Sequence, residues 1–417
     1  MAIIKKIIYS WGHKAMNINT LFSYKKILAG ILALFLSLST IFAQTHFSGF
    51  SGVAGNIGAT EEGDGVQFTA DTFFAGQIDL FNTIMIRTGV TAHTENLISR
   101  YFFNTVPASF VFNELSATVR IHSGHITPYI SFFAGEYDSI GSDLFLRRHF
   151  GILPFASRLT ENLTGVSNIN IYPFSSLGGS YVMKLKTPQA LGLYFYAGDR
   201  NGQLRGNVDF RFAGVFPFVT IDFSAGIGFP IDIKEENGET IMSLNRRIEF
   251  HTGLSTLIGN THTASLLLQF GFTKIIINPE EAQKVLSLSD LYFWVEPRFK
   301  AESMNFHFTM FSIPEYAIQD KFYLSGNLGA NLAIFANNIY AGSFLLTIGS
   351  HLTISTKNVV LDKINDISSE NMSFRVSPFI ETPFLEGMLI SRFSIDCMQF
   401  EKMHTSIKVS LGYTAKL

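Results

Sequence analysis

Three features of the sequence predict an all-β chain: apolar and polar residues alternate strictly, charges keep to one face of each strand, and short connections alternate with long ones. Together they predict a transmembrane antiparallel up-and-down β-barrel of about 18 strands, within a range of about 16 to 18. The short connections are expected on the periplasmic side, which places both chain termini in the periplasm.

The alternation has a period of two residues, so each strand has one apolar and one polar face. In one segment, Leu115, Ala117 and Val119 alternate with Ser116 and Thr118. The same pattern recurs in segments 84–93, 219–227, 291–300 and 407–417. Such strands match a sheet that has lipid on one side and water on the other.

Charged residues within one strand share a face. Glu114 and Arg120 are an even number of residues apart, as are Asp209 and Arg211. A Lys or Arg facing lipid would cost about 2–4 kcal/mol at the bilayer midplane. We therefore expect the charged face to line the lumen.

The connections divide into two classes. Strand centres are expected near Gly49, Thr72, Thr88, Ala117, Ile130, Val182, Tyr194, Phe210, Phe223, Thr252, Leu268, Val295, Phe308, Leu328, Leu346, Ser377, Phe393 and Leu411. Short connections are expected at 81–82, 122–125, 187–190, 259–261, 302–303 and 336–338. Long connections are expected at 94–107, 136–177, 230–247, 278–288 and 357–372. Short turns at one end and long loops at the other are typical of a membrane barrel.

Composition excludes several other classes. Only 15% of residues are charged, against about 25% in soluble domains. Beyond the N-terminus no uninterrupted apolar run reaches the length of about 20 residues that a spanning helix needs. The net charge of -2 argues against nucleic acid as a partner, and Cys397, the single cysteine, excludes an internal disulfide.

The N-terminus has the form of an export signal. Lys25 and Lys26 precede an apolar stretch from Ile27 to Phe42, and Ala43 offers a small residue for cleavage. We expect residues 1–43 to be a signal peptide, with Met16 as an alternative start, and residues 44–417 to form one barrel domain. An uncleaved helical anchor is the other interpretation of this stretch.

The last strand carries a short motif. Gly412, Ala415 and Leu417 resemble the C-terminal β-signal of bacterial outer-membrane β-barrel, porin-like proteins, although Leu417 replaces the usual terminal Phe or Trp. The resemblance implies location in the outer membrane, contact with its lipid, and handling by periplasmic chaperones and the barrel assembly machinery. The alternative is a final amphipathic strand with no signalling role.

The charged face supplies the pore-lining candidates. They are Arg87, Arg120, Arg211, Arg298, Lys300, Arg375, Arg392, Glu114, Asp209, Asp222, Glu249, Glu296, Glu381 and Asp396. Rings of one charge set ion preference in a pore, so mixed signs predict weak selectivity. The alternative for each residue is a cross-strand ion pair that stiffens the wall.

The connection from Glu136 to Leu177 is the longest. Its basic residues Arg147, Arg148, His149 and Arg158 surround an apolar patch, and loops of this length are often functional. One hypothesis is that it folds inward and narrows the pore, and the other is a solvent-exposed surface loop.

Four aromatic residues also fall on the lumen face: Tyr194, Tyr196, Tyr292 and Trp294. Packing at the barrel rim is expected of them, with a stacking track for sugars as the alternative.

We expect the polar lumen of the barrel to determine the function. The leading hypothesis is a channel for passive or weakly selective diffusion of small hydrophilic solutes, without catalytic residues, metal or cofactor. One alternative is a surface-exposed barrel whose long loops bind a host or environmental partner. A third is a lipid-modifying barrel enzyme, although no local motif assembles a Ser-His-acid site.

Overall fold

The structure is a computed structural model, and it describes fourteen ranges of the chain. These are residues 45–59, 65–94, 96–97, 108–124, 126–161, 175–200, 203–236, 239–244, 248–277, 285–318, 321–357, 367–368, 371–399 and 406–417. The expected signal peptide therefore lies outside the described residues.

The described chain is mostly strand. The strands are β1 (Thr45–Ala59), β2 (Val66–Leu80), β3 (Ile84–Thr94), β4 (Ala108–Arg120), β5 (Ile126–Gly135), β6 (Ser175–Leu185), β7 (Gln189–Arg200), β8 (Gln203–Val215), β9 (Val219–Glu236), β10 (Glu239–Leu244), β11 (Glu249–Asn260), β12 (Ala264–Ile276), β13 (Leu291–Ala301), β14 (Met304–Ser312), β15 (Leu328–Ala341), β16 (Phe344–Thr356), β17 (Met372–Phe384), β18 (Gly387–Asp396) and β19 (Ile407–Lys416). The only described α-helix of more than one turn is α1 (Leu144–Phe150), and short 3₁₀ turns lie at Arg158–Thr160, Leu288–Asp290, Glu315–Ala317 and Cys397–Gln399.

The sheet closes on itself. Each strand pairs antiparallel with its neighbour, and β1 also pairs with β19, from Phe50 opposite Lys416 to Ile57 opposite Val409. Gly49 and Leu417 exchange two backbone hydrogen bonds of 2.8 and 3.2 Å at this seam. Closure satisfies the backbone groups that lipid cannot, so the predicted all-β antiparallel barrel is confirmed.

The wall contains 18 strands, because β10 pairs only with the outer part of β9. β11 takes its place in the wall by pairing with Val219–Gly228 of β9. The long connection expected at 230–247 thus joins two wall strands, and within it the backbone ladder of β9 continues beyond the wall as a hairpin with β10.

Short turns occupy one end of the barrel, here called the short-turn end. Phe81 and Asn82 both have positive φ, at 53° and 54°, as a two-residue hairpin turn requires. The turn expected at 336–338 is misplaced, because that position is a register shift between Ala336 and Ile339 within β15. Strand β15 continues to Ala341, and the chain reverses at Gly342, whose φ of 64° suits glycine.

The two faces of the wall differ as the alternation predicts. Outward-facing Phe132 and Phe195 are 72% and 57% exposed, while their inward-facing neighbours Ser131 and Tyr194 are 2% and 5% exposed. A continuous outer surface of exposed apolar side chains is the surface of a membrane barrel. No helix among the described residues is long and apolar enough to cross a membrane.

The apolar core lies inside the barrel. Phe145 and Leu146 of α1 are fully buried there, together with Trp294 and Phe311 of the wall. Residues 313–318 and 321–327 also pack inward, and Tyr323 belongs to the same cluster. The interior is therefore packed by chain segments as well as by wall side chains.

Candidate functional site: the barrel lumen

Residues 136–161, here called the inward loop, enter the lumen directly after β5. Gly135 starts the turn with a φ of 93°, and a Cβ there would lie 2.3 Å from the carbonyl oxygen of Asn113. Only glycine fits this close backbone approach. The described part of the longest predicted connection therefore lies inside the barrel, while residues 162–174 lie outside the described residues.

Arg148 anchors the inward loop to the wall. Its Nη2 donates to Oε1 of Glu114 on β4 at 3.0 Å, and its Nε donates to Oδ1 of Asp138 at 3.1 Å. Tyr194 on β7 donates its hydroxyl to the other oxygen of Asp138 at 2.9 Å, and Arg211 on β8 donates to the Asp138 carbonyl. One aspartate thus connects the loop to two further strands.

The charge of Asp138 is kept in spite of its burial. Burial alone would raise the pKa of this carboxyl, but Arg148 and Arg211 lower the pKa below its usual range. An ionised, hydrogen-bonded carboxylate between two guanidinium groups is a rigid contact. The loop is consequently fixed at its first turn.

Glu296 on β13 forms the second anchor. Its Oε2 accepts from the Ser157 hydroxyl at 2.6 Å, from the Trp294 indole at 3.0 Å and from the Thr309 hydroxyl at 3.0 Å. Arg298 donates to its Oε1 at 2.7 Å and to the Ala156 carbonyl oxygen at 2.9 Å. The end of the inward loop is thereby held against β13 and β14.

The third anchor lies on the wall made by β17 and β18. Arg158 donates to Glu381 at 2.6 Å and to Glu161 at 2.9 Å. Arg392 donates to the Glu161 carbonyl oxygen at 2.9 Å. The inward loop therefore spans the lumen from β4 to β18.

His149 differs from the anchoring arginines, because its ring makes no ion pair in the described chain. The ring lies between those of Tyr129 and Phe145, with centroids 4.8 and 4.7 Å away, and neither ring nitrogen has a hydrogen-bond partner. Burial lowers its pKa to about 3, so this imidazole is neutral at physiological pH. Its carbonyl oxygen accepts from Lys184 Nζ at 2.6 Å.

Most predicted pore-lining residues face inward and are buried. The buried ones are Glu114, Asp209, Arg211, Asp222, Glu249, Glu296, Arg375, Glu381, Arg392 and Asp396. Arg87, Arg120 and Arg298 are half-buried, and Lys300 is exposed at the short-turn end. These positions agree with the predicted face, and a role in lining a pore stays a proposal.

Many of the buried charges form ion pairs. Arg211 and Asp222 pair across neighbouring strands, with Nε and Oδ1 2.8 Å apart, and Arg375 lies 3.7 Å from Asp396. His251 lies 3.0 Å from Asp209. The geometry of these residues therefore fits the alternative interpretation, in which cross-strand ion pairs stiffen the wall.

The four lumen aromatics are buried. Tyr194, Tyr196, Tyr292 and Trp294 are all at most 5% exposed, and they belong to the cluster that includes Phe145 and Leu146 of the inward loop. These rings therefore pack against the inward loop, and their expected place at the barrel rim stays a prediction. A covered ring also offers no face to a passing sugar.

Inward-facing side chains of β1, β2 and β3 stay partly accessible to solvent, and this region is here called the β1–β3 passage. Its inward-facing Asn56, Gln77, Asp79 and Arg87 are all half-buried, and the His93 and Asp71 side chains are 47% and 27% exposed. By contrast, the inward residues 220, 222, 224, 226 and 228 of β9 are all buried. The charge pattern did not identify the neutral residues Asn56 and Gln77. Their positions in the period of two could have, because each lies on the inward face of its strand.

The residues of the C-terminal motif lie at the closing seam. Gly412 faces Ala54 of β1 and Ile390 of β18, and Ala415 faces Ser51 and Gly387. Leu417 is 51% exposed. Small residues at these positions let the seam close tightly, and a role in assembly stays a proposal.

Comparisons with known proteins give only distant similarity. No family model matches the chain, and no curated protein matches it either.

Within the described residues, no group of three or more His, Cys, Asp or Glu side chains could hold a metal ion.

Solved structures with a similar arrangement include mutants of a porin. One mutant of Rh. blastica porin matches with 6% identity and a TM-score of 0.38, covering 90% of this chain and 100% of that chain. A triple mutant of Rhodopseudomonas blastica porin matches at 6% identity with a TM-score of 0.35 over the same shares. TM-scores this low carry no weight for function.

Proposed function

We propose that this protein is an outer-membrane channel through which small hydrophilic solutes diffuse passively or with weak selectivity. Export by a signal peptide at residues 1–43 and a periplasmic short-turn end belong to the same proposal. The observation that carries it is the β1–β3 passage, where inward-facing polar side chains stay accessible inside a closed barrel. An apolar outer surface and a wet polar inner surface are the two properties that a diffusion pore needs.

The passage carries both signs of charge. Asp71 and Asp79 are acidic, while Arg87 and the loop residue Arg147 are basic, and all four are half-buried. The guanidinium of Arg147 lies 5.4 Å from the ring centre of Phe50 on β1, so the inward loop forms the opposite side of the passage. Mixed charge predicts weak ion preference.

The first test is conductance in planar bilayers. The refolded protein should insert with stepwise current increases, and a potassium chloride gradient should give a reversal potential near zero. A protein that inserts and never conducts would refute the channel. The alternative function, a barrel whose long loops bind a partner, predicts that the protein inserts but that no solute passes in a size-dependent way.

The path through the barrel can be tested by cysteine accessibility. In a Cys397→Ser background, Gln77→Cys should react with a charged methanethiosulfonate reagent, and the single-channel current should fall. Ser377→Cys is the matched control, because Ser377 faces inward on β17 and is fully buried, so its current should not change. If the reagent blocked the current in the Ser377→Cys variant and not in the Gln77→Cys variant, the solute path would not run along β1–β3.

We further propose that the inward loop, with Arg147, Arg148, His149 and Arg158, sets the width of the pore. Deleting residues 145–155 should raise single-channel conductance at least about twofold, since α1 and its buried rings leave the lumen. An insertion of equal length in the exposed turn at Glu302 is the control. Unchanged conductance after the deletion would remove the constriction hypothesis.

A further inference from the structure

A cavity of about 170 Å³ lies on the inner wall at the short-turn end of β4, β5 and β6. Its lining includes Arg120 at the end of β4, Thr127 and Tyr129 on β5, Lys184 on β6 and Lys186 in the turn that follows. The strand register places Arg120 opposite Tyr129, and Thr127 opposite Lys184. Three cations from different elements therefore converge on one half-open space.

In the described part of the chain, no nearby carboxylate neutralises these three cations, unlike several of the other lumen charges. No carboxylate lines the cavity, and within the described ranges Arg120, Lys184 and Lys186 take part in no ion pair. Deeper in the lumen, Arg211 and Arg298 each have a carboxylate partner. A convergence of like charges is unfavourable unless an anion offsets it.

The donors that the cavity offers are partly free. Arg120 gives its Nε hydrogen to the Asn82 carbonyl oxygen at 2.9 Å and shares Nη2 with the same oxygen, which leaves other N–H groups of the five in a guanidinium. Lys184 gives one of its three ammonium hydrogens to the His149 carbonyl oxygen at 2.6 Å. Both side chains are thus oriented by existing bonds and can still donate to a ligand.

We propose that this cavity binds a small oxyanion of the phosphate class, as inorganic phosphate or as the phosphate group of a soluble ester. A multivalent oxyanion accepts several charge-assisted hydrogen bonds at once, and the guanidinium fork matches its geometry. The site faces the lumen, so its ligand arrives dissolved in water. The inward-loop contact of Lys184 also joins the bound anion to the end of α1.

Binding is measured on the full refolded barrel in detergent by titration calorimetry at constant ionic strength. Inorganic phosphate and glycerol phosphate are the two probes, with chloride as the reference anion. The wild-type protein should bind phosphate, and a Lys186→Gln variant and an Arg120→Gln variant should each bind it about tenfold more weakly. If glycerol phosphate binds and inorganic phosphate does not, the ester is the ligand.

Lys416→Gln is the matched control, because Lys416 is an exposed lysine at the same end of the barrel, outside the cavity lining. It should bind phosphate like the wild type. Heat-dependent gel migration checks that every variant is folded. If the wild type binds neither inorganic phosphate nor glycerol phosphate, or if the control loses as much affinity as the cavity variants, the site is overturned. Conductance in potassium chloride is independent of this result, so failure of the anion site and failure of the channel are distinguishable.

Discussion

Glu296 ties the inward loop to two strands of the wall, and its side chain is fully buried. Its two oxygens accept from Ser157, Trp294, Thr309 and Arg298. A buried carboxylate is tolerated only when its hydrogen bonds are this complete. The Glu296 carboxylate is therefore one of the main attachment points of the inward loop.

Replacing Glu296 by Gln should lower the free energy of unfolding by about 3 kcal/mol, because Arg298 loses its partner and an amide N–H faces other donors. The temperature at which the compact barrel is lost on gels should fall. Glu302→Gln, in an exposed turn, is the control and should leave that temperature unchanged. Equal temperatures for both variants would contradict the anchoring role.

At the scale of elements, the inward loop behaves as a plug segment docked by polar anchors around an apolar centre. Phe145 and Leu146 fill the middle, while Arg148, Ser157 and Arg158 bind the wall. Asp143 is also buried there, and its Oδ1 accepts from the Phe155 amide at 3.0 Å. Burial raises the pKa of Asp143 to about 7, with Asp222 raising the pKa further and Arg298 opposing it.

The docking of the loop should therefore weaken as pH rises from 6 to 8. A carboxyl with a raised pKa in the docked state stabilises docking at low pH. That stabilisation falls as pH rises from the ordinary carboxyl pKa of 3.8, and its last part is lost as pH approaches about 7. Trp294 reports the change, because Glu296 bonds both its indole and Ser157 of the loop. Residues 44–417, the proposed mature chain, contain Trp294 as their single tryptophan, and its quenching by acrylamide should increase between these pH values.

Asp143→Asn is the matched control for this pH effect. The amide keeps an oxygen that accepts from the Phe155 backbone and has no charge to gain. Quenching in this variant should be independent of pH from 6 to 8. A pH dependence equal to that of the wild type would assign the effect to another group.

At the scale of the whole molecule, the outer surface decides where the barrel is stable. Phe132 is exposed in the middle part of β5, and Tyr340 is exposed near the short-turn end of β15. Phe132→Lys should destabilise the barrel in lipid vesicles by about 2–4 kcal/mol, and Tyr340→Lys by at most about 1 kcal/mol. Urea titration of the folded fraction measures both, and equal costs at the two depths would argue against a membrane-spanning wall.

The wall is the part that the sequence predicts well. Alternation assigns Ser131 inward and Phe132 outward because a strand has a period of two residues, and the burial of both follows it. Local turn signals are weaker. Phe81 and Asn82 form the expected turn, whereas Asn337 and Asn338 lie beside a register shift within β15. A bulge and a turn use the same residue types.

By itself, the sequence determined the strands, their two faces and the end at which turns are short, because these properties depend on neighbouring residues. The tertiary structure decided where the inward loop goes, which charges are neutralised and which inward-facing side chains stay accessible. Arg158 and Glu381 meet although they are 223 residues apart. Such contacts exist only once closure of the wall brings distant strands around one interior, and no local pattern encodes that meeting.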